Sequence, residues 1–242
     1  NTIEDVNPGG YGSTRPLWIS YGARAKVIDN IIRNNYGAQK GCIYIWDADV
    51  CFESNDVINC TAWNSAGGIY ATNSSANYSV RIKRNYFSGN AADYSGAIHV
   101  DGATITNMMI DHNIIVGSGS DYGSGGSIRV SVTSGTNTVK VWNNVIKDPY
   151  VPCCGSVAIG LSVSATSDVH AANNIIYGGA YAVYGTSATR YEYNDSYLGT
   201  VYGVTSGSGN ITGNPNFTNP GAGDYSLQAG SPCINAGNPA AQ

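Results

Sequence analysis

The chain has 242 residues, with 12 Lys and Arg against 16 Asp and Glu and a net charge of −4. Only 12% of residues are charged, about half the share of ordinary soluble domains, and no basic run exists to give an electrostatic footprint for nucleic acid. No apolar run reaches membrane-spanning length, and 42% hydrophobic content in regular patterns argues against disorder.

Residues 1–16 are polar, hold Pro8, Gly9, Gly10 and Gly12, and read as an extended lead-in. From Leu17 onward a two-part unit recurs. Its first part is Gly-x-apolar-x-apolar: Gly41 to Ile45, Gly67 to Ala71, Gly96 to Val100 and Gly126 to Val130, then more loosely from Gly155, Gly179 and Gly199. Leu17, Trp18 and Ile19 read as the first strand, without the glycine. The second part is Asn or Asp followed by two mostly apolar residues, at Asn30, Asp56, Asn85, Asn113, Asn144, Asn174 and Asp195. A period of roughly 20–30 residues marks a repeat architecture. Alternation over short runs, with turn residues between, predicts strands, and no amphipathic stretch of helical length occurs. Such units bury their apolar positions only by stacking, at about 4.8 Å per turn.

The expected fold is all-β. It is a single-domain parallel β-helix, or solenoid, of about seven to eight coils over residues 17–212, with a C-terminal capping tail over 213–242. Alternation sets the faces: Ile43, Ile69, Ile98, Ile128 and Val157 form one interior column. Trp18, Tyr44, Tyr70, His99, Arg129, Ala158, Ala182 and Tyr202 form the outward column beside it. The asparagines suit corners, because Asn tolerates left-handed backbone, and stacked amides can form ladders.

Val27 to Ile32 and Val141 to Ile146 read V-x-x-N-I-I. The tail holds Gly213-Asn214-Pro215-Asn216-Phe217, Gly223-Asp224-Tyr225-Ser226-Leu227 and Ser231-Pro232-Cys233-Ile234-Asn235-Ala236-Gly237. These residues resemble the right-handed parallel β-helix proteins of the pectate-lyase-like superfamily. The tail is similar to the ending of many secreted bacterial β-helix proteins, with Asn214 and Asn235 where acids are usual. The resemblance implies right-handed coils and secretion. It implies activity only loosely, since the family spans polysaccharide lyases and surface proteins.

A chain beginning at Asn1 rather than Met suggests a removed signal peptide or a trimmed start, so the expected location is secreted, extracellular or cell-surface. In that setting an even cysteine count favours disulfides among Cys42, Cys51, Cys60, Cys153, Cys154 and Cys233. N-x-[ST] sequons stand at Asn59, Asn73, Asn77, Asn194, Asn210 and Asn216.

Three functions compete. The first is a structural protein of a cell surface or extracellular fibre. Its partners are other copies of itself, met end to end through unpaired strands at the coil ends. The second is a polysaccharide lyase, with Arg81, Lys83, Arg84, His99 and His112 as the catalytic candidates and Asp47, Asp49, Asp101 and Asp111 as ligands for Ca²⁺, the only cofactor suggested. The third is a non-catalytic module that binds extracellular polysaccharide by stacking sugars on Trp18, Tyr44, Tyr70 and His99. Sparse ionisable groups and short coils, which leave little chain for cleft-building loops, weigh against an enzyme. No nucleic acid partner and no membrane insertion are expected.

Overall fold

The computed structural model describes residues 1–6, 15–37, 39–74, 78–102, 107–121, 125–132, 138–150, 158–164 and 168–240. Asn77, Cys153, Cys154 and Val157 lie outside them. The described chain is a parallel β-solenoid with three faces, each an eight-stranded sheet. Sheet 1 contains Leu17–Ser20, Ile43–Trp46, Ile69–Thr72, Ser95–Gly102, Gly126–Val132, Ile159–Val163, Tyr181–Tyr184 and Thr200–Tyr202. Sheet 2 runs from Arg24–Ile28 through Asp49–Glu53, Ser79–Lys83, Asn107–Asp111, Thr138–Trp142, Val169–Ala172 and Thr189–Glu192 to Thr205–Ser206. Sheet 3 begins with Thr2–Glu4, so a strand precedes Leu17. It continues with Ile31–Arg33, Asp56–Ile58, Tyr86–Ser88, Ile114–Val116, Val145–Lys147, Ile175–Tyr177 and Asp195–Tyr197.

Alternation within each strand builds the core. Leu17, Ile43, Ile69, Ile98, Ile128, Leu161 and Val183 stack in register inside sheet 1. Leu161 therefore holds the place expected for Val157. The strand Ile159–Val163 thus lies four residues further along than the glycine pattern places it, and the sequence pattern has no marker for that slip. Val27, Phe52, Ile82, Ile110, Val141, Ala171 and Tyr191 stack inside sheet 2. Ile32, Val57, Phe87, Ile115, Ile146, Ile176 and Ser196 stack inside sheet 3. Where Ala171 and Ser196 leave space, Tyr191 fills it, fully buried, with its hydroxyl 2.6 Å from Ser196 Oγ. Glycine is demanded where turns touch: a Cβ on Gly67 would lie 2.5 Å from Ala91 N and 2.6 Å from Cys60 O.

The corner between sheets 2 and 3 is an asparagine ladder. Asn55, Asn85, Asn113, Asn144 and Asn174 each donate from backbone N and Nδ2 to Oδ1 of the asparagine one coil on, at 2.9–3.1 Å. Asn30 joins at one end, and Asn194 and Asn210 at the other. Two expectations are corrected here. The ladder members are Asn55 and Asn194, not their neighbours Asp56 and Asp195, because an amide both accepts and donates whereas an ionised carboxylate only accepts. The left-handed residue is the one before each ladder asparagine: Asp29, Ser54, Arg84, His112, Asn143, Asn173 and Tyr193, with φ of 55–57°. After sheet 3 a shorter set of such bonds runs from Val6 N to Asn35 Oδ1, from Cys60 N to Asn90 Oδ1 and from Asn90 N to Ser118 Oγ.

The tail lies on the flank of the stack. Phe217–Asn219 and Asp224–Leu227 form an antiparallel pair. Phe217 packs against Tyr177 of sheet 3 at 6.3 Å, and Asn238 and Asn173 exchange hydrogen bonds at 2.7 and 3.2 Å. Cys233 Sγ donates to Asp195 Oδ2 at 3.2 Å. The last rung, Thr200–Tyr202 with Thr205–Ser206, is exposed.

Candidate functional site

The outward column of sheet 1 is Trp18, Tyr44, Tyr70, His99, Arg129, Ser162, Tyr184 and Tyr202. Ser162 and Tyr184 take the places expected for Ala158 and Ala182, displaced by the same slip and by a bulge between Tyr181 and Val183. The ring ladder exists, with centroid spacings of 5.9, 5.6 and 5.3 Å from Trp18 to His99. Trp18 is 51% exposed, but Tyr44, Tyr70 and His99 are only 9%, 3% and 5% exposed.

The covering comes from outside the strands. The Arg15 guanidinium lies 4.7 Å from the Trp18 ring and 4.5 Å from the Tyr44 ring, and Lys40 Nζ lies 4.6 Å from the Tyr70 ring. His99 Nδ1 is 3.1 Å from Ser65 O. The rings expected to stack on sugar thus stack on the protein's own cations, a favourable use of the aromatic face.

The polar groups of this face satisfy one another. Tyr70 donates to Asp101 Oδ2 at 2.7 Å, and burial, then that carboxylate, holds its phenol well above the ordinary range. Burial pushes His99 down to about 4, so the ring is neutral at physiological pH. Its Nε2 sits 3.3 Å from Ser131 Oγ. Arg129 bonds the same hydroxyl at 2.9 Å and lies 5.5 Å from the Tyr94 ring. Neither Tyr70 nor His99 is thereby an acid or base poised near neutral pH, the range that favours general acid–base catalysis.

The lyase candidates divide between faces. Arg81 and Lys83 project from sheet 2, Arg84 and His112 occupy equivalent left-handed turn positions beside it, and His99 lies on sheet 1. Arg81 grips Asp111 with two bonds of 2.9 and 2.7 Å, and His112 Nδ1 adds a third contact at 3.0 Å. Burial would raise the Asp111 carboxyl, but Arg81 and His112 outweigh it and hold it low. Lys83 and Arg84 share Glu53 at 2.9 and 3.0 Å.

The four acids expected for Ca²⁺ sit apart. Asp47 accepts from Ser74, Asp49 from Ser79 N at 2.8 Å, Asp101 from Tyr70 and Asp111 from Arg81. Among the described residues no three of His, Cys, Asp and Glu are grouped to hold a metal.

What the sequence did not single out is a line of cations four residues before alternate ladder asparagines. Lys26, Cys51, Arg81, Met109, Lys140, His170 and Arg190 form one outward column of sheet 2. Two adjoining shallow depressions, of about 580 and 450 Å³, share Ser79 and Arg81 and run from Arg24 to Lys140. Counting back from each ladder asparagine would have found it.

The cysteine expectation is corrected as well. Cys42, Cys51, Cys60 and Cys233 are free thiols. Cys42 and Cys60 are fully buried and fill core positions as small hydrophobic residues. Cys51 faces outward on sheet 2, and Cys233 is engaged by Asp195. Of the described sequons, Asn59 and Asn216 are exposed, Asn73 is buried, and Asn194 and Asn210 spend their amides in the ladder.

Searches among curated proteins and among solved structures returned no significant match. The family model described as "Right handed beta helix region" matches residues 1–146. That span is more than half of a chain whose described residues up to the tail coil as a parallel β-solenoid, and the protein belongs to the right-handed β-helix family.

Proposed function

We propose that this chain is a structural β-helix protein of a secreted, extracellular or cell-surface assembly, joined to its neighbours through a coil end. The fold supports a structural or carbohydrate-related role in general. The observation that carries the structural reading is the position of the tail. It packs along sheet 3, and the last rung is left with Leu198, Val201 and Tyr202 65%, 38% and 55% exposed. A strand edge of this kind is a template for further pairing. The quenched state of Tyr70, His99 and Arg81 supports a scaffold over a catalyst.

Light scattering across a concentration series, with electron microscopy, tests the reading. Assembly lost on Val201→Lys is the expected result. Monomers at every concentration and salt would refute it.

A second reading rests on the cation column of sheet 2. Lys26 and Lys140 stand four rungs apart, about 19 Å, along the depressions described above, with Arg81 between them held by Asp111. An extended acidic polysaccharide could meet both lysines there. Binding of polyuronate oligomers that weakens about tenfold in the Lys26→Gln, Lys140→Gln double variant is expected. Equal binding by the variant would remove this reading.

A further inference from the structure

The surfaces of the solenoid differ in what they leave unsatisfied. The outer face of sheet 1 is covered over its first half by Arg15, Lys40 and the turn carrying Ser65. The acids on sheet 2 are ion-paired or, for Glu192 with His170, hydrogen-bonded, and the tail occupies part of sheet 3. The last rung is different. Among the described residues, Thr200–Tyr202 and Thr205–Ser206 each have a paired strand on one side only.

Natural edges are blunted with Lys, Pro or inward charges. This one is short, with strands of three and two residues, but it carries neither charge nor proline, for no charged residue lies between Asp195 and Asp224 and no proline between Leu198 and Ser206. The opposite end carries Glu4, Arg24, Lys26 and Arg33, with the Arg24 side chain 87% exposed. A neutral edge with apolar Leu198 and Val201 fits another neutral edge better than it fits those hydrated charges, which would lose solvation at the joint.

Shape admits the same partner. The end of a coil is a ramp one rung high. A two-fold axis across the stack turns that ramp into its own complement, so that the two faces meet at a constant gap, as an isologous contact requires.

We propose that two copies of this chain join last rung to last rung about a two-fold axis, with the Thr200–Tyr202 strands meeting antiparallel. Leu198, Val201 and Tyr202 of each copy are covered in the joint. The contact closes on itself, so it makes a rod of two solenoids and not an open filament. This inference rests on the end-joining reading above and names its partner.

The test places a photoreactive benzoylphenylalanine at Tyr202 and mixes that chain with a ¹⁵N-labelled copy. Crosslinked peptides are then identified by mass spectrometry. The expected links run from position 202 to residues 198–206 of the other isotopic copy. Light scattering should give twice the monomer mass, and solution scattering a maximum dimension about doubled. Val201→Lys, shown folded by its β-sheet circular dichroism, should weaken the dimer at least about tenfold. Links to residues 2–33 of the other copy, or open-ended oligomers, would overturn the two-fold pairing while leaving end joining in place. Monomers throughout, with no crosslinks between copies, would overturn both.

Discussion

Truncating one interior asparagine should cost more than any surface substitution on this protein. Asn113→Ala removes four hydrogen bonds. Two come from Asn85 N and Nδ2 to Oδ1 at 3.0 Å, and two run from Nδ2, to Ile82 O at 2.9 Å and to Asn144 Oδ1 at 3.0 Å. Asn113 is 1% exposed, so water does not readily replace what is lost. At about 1 kcal/mol per bond, with a further penalty for the stranded Asn85 N–H, the expected cost is roughly 3–5 kcal/mol. Asn30 stands at the exposed end of the same ladder, and there Asn30→Ala should cost about 1 kcal/mol or less, because water can step in. Asn113→Asp separates acceptance from donation. A carboxylate still accepts from Asn85 but faces Ile82 O and Asn144 Oδ1 with no proton. Its folded pKa must rise, so stability should recover as pH falls through that value. Urea unfolding at fixed temperature measures all three variants. Equal losses for Asn113→Ala and Asn30→Ala would show that the ladder is not the source of the stability assigned to it.

Three other outcomes are expected. Burial raises the Asp195 carboxyl to about 6 from an ordinary 3.8, so the folded state holds a proton that the unfolded state has released between those values. Stability therefore falls as pH rises from about 4 to about 6, and Asp195→Asn should flatten that slope and gain roughly 1–2 kcal/mol at pH 8 in thermal or urea melts. Tyr191→Phe leaves Ser196 Oγ without its 2.6 Å partner in the core and should cost about 1–2 kcal/mol by urea unfolding. Cys42 and Cys60, both fully buried, should resist an aromatic disulfide reagent in the native protein and react on unfolding; labelling of either in the folded state would contradict the packing.

The inner columns were legible because alternation writes them directly. Ile43, Ile69, Ile98 and Ile128 fell where their spacing put them. The outward assignment of Trp18, Tyr44, Tyr70 and His99 followed from the same rule. Their burial did not, because the residues that cover them, Arg15, Lys40 and Ser65, belong to turns with no repeat pattern. The one-residue error at Asp56 and Asp195 arose because a polar pair precedes the apolar residues there. Hydrogen-bond chemistry separates the members of such a pair, since a carboxylate cannot pass the ladder on. The left-handed corner was misplaced for a different reason. Backbone closure imposes that conformation whatever the side chain, at a cost of about 1–2 kcal/mol for a non-glycine residue, and the several bonds of the ladder asparagine that follows offset it even at Tyr193. The candidate sites were less legible than the fold because spacing shows which residues share a face and does not show what neutralises them. Arg81 and Asp111 were both visible as lyase-like groups, and only the structure shows them spent on each other.

That distinction bears on how a solenoid acquires a function at all. Each interior rung is satisfied by the rungs above and below, and its stability is nearly a sum of neighbour terms. An outward residue is free to act only where a turn does not fold over it and a neighbouring rung does not neutralise it. In this chain Tyr44 and Tyr70 fail the first condition, and Arg81 and Lys83 fail the second. Lys26 passes both in sheet 2, being exposed beside Cys51, and Lys140, half-buried with its ammonium over the Trp142 ring, stands beside Met109 and His170 and not beside an acid. The last rung passes for a separate reason, since Thr200–Tyr202 has no rung beyond it among the described residues. Its outward backbone groups face water, and they and the exposed side chains of Leu198, Val201 and Tyr202 remain open to pairing with a further strand. Interior rungs are already paired on both sides, which is why the argument for a partner falls on the end of the stack and not on its aromatic face.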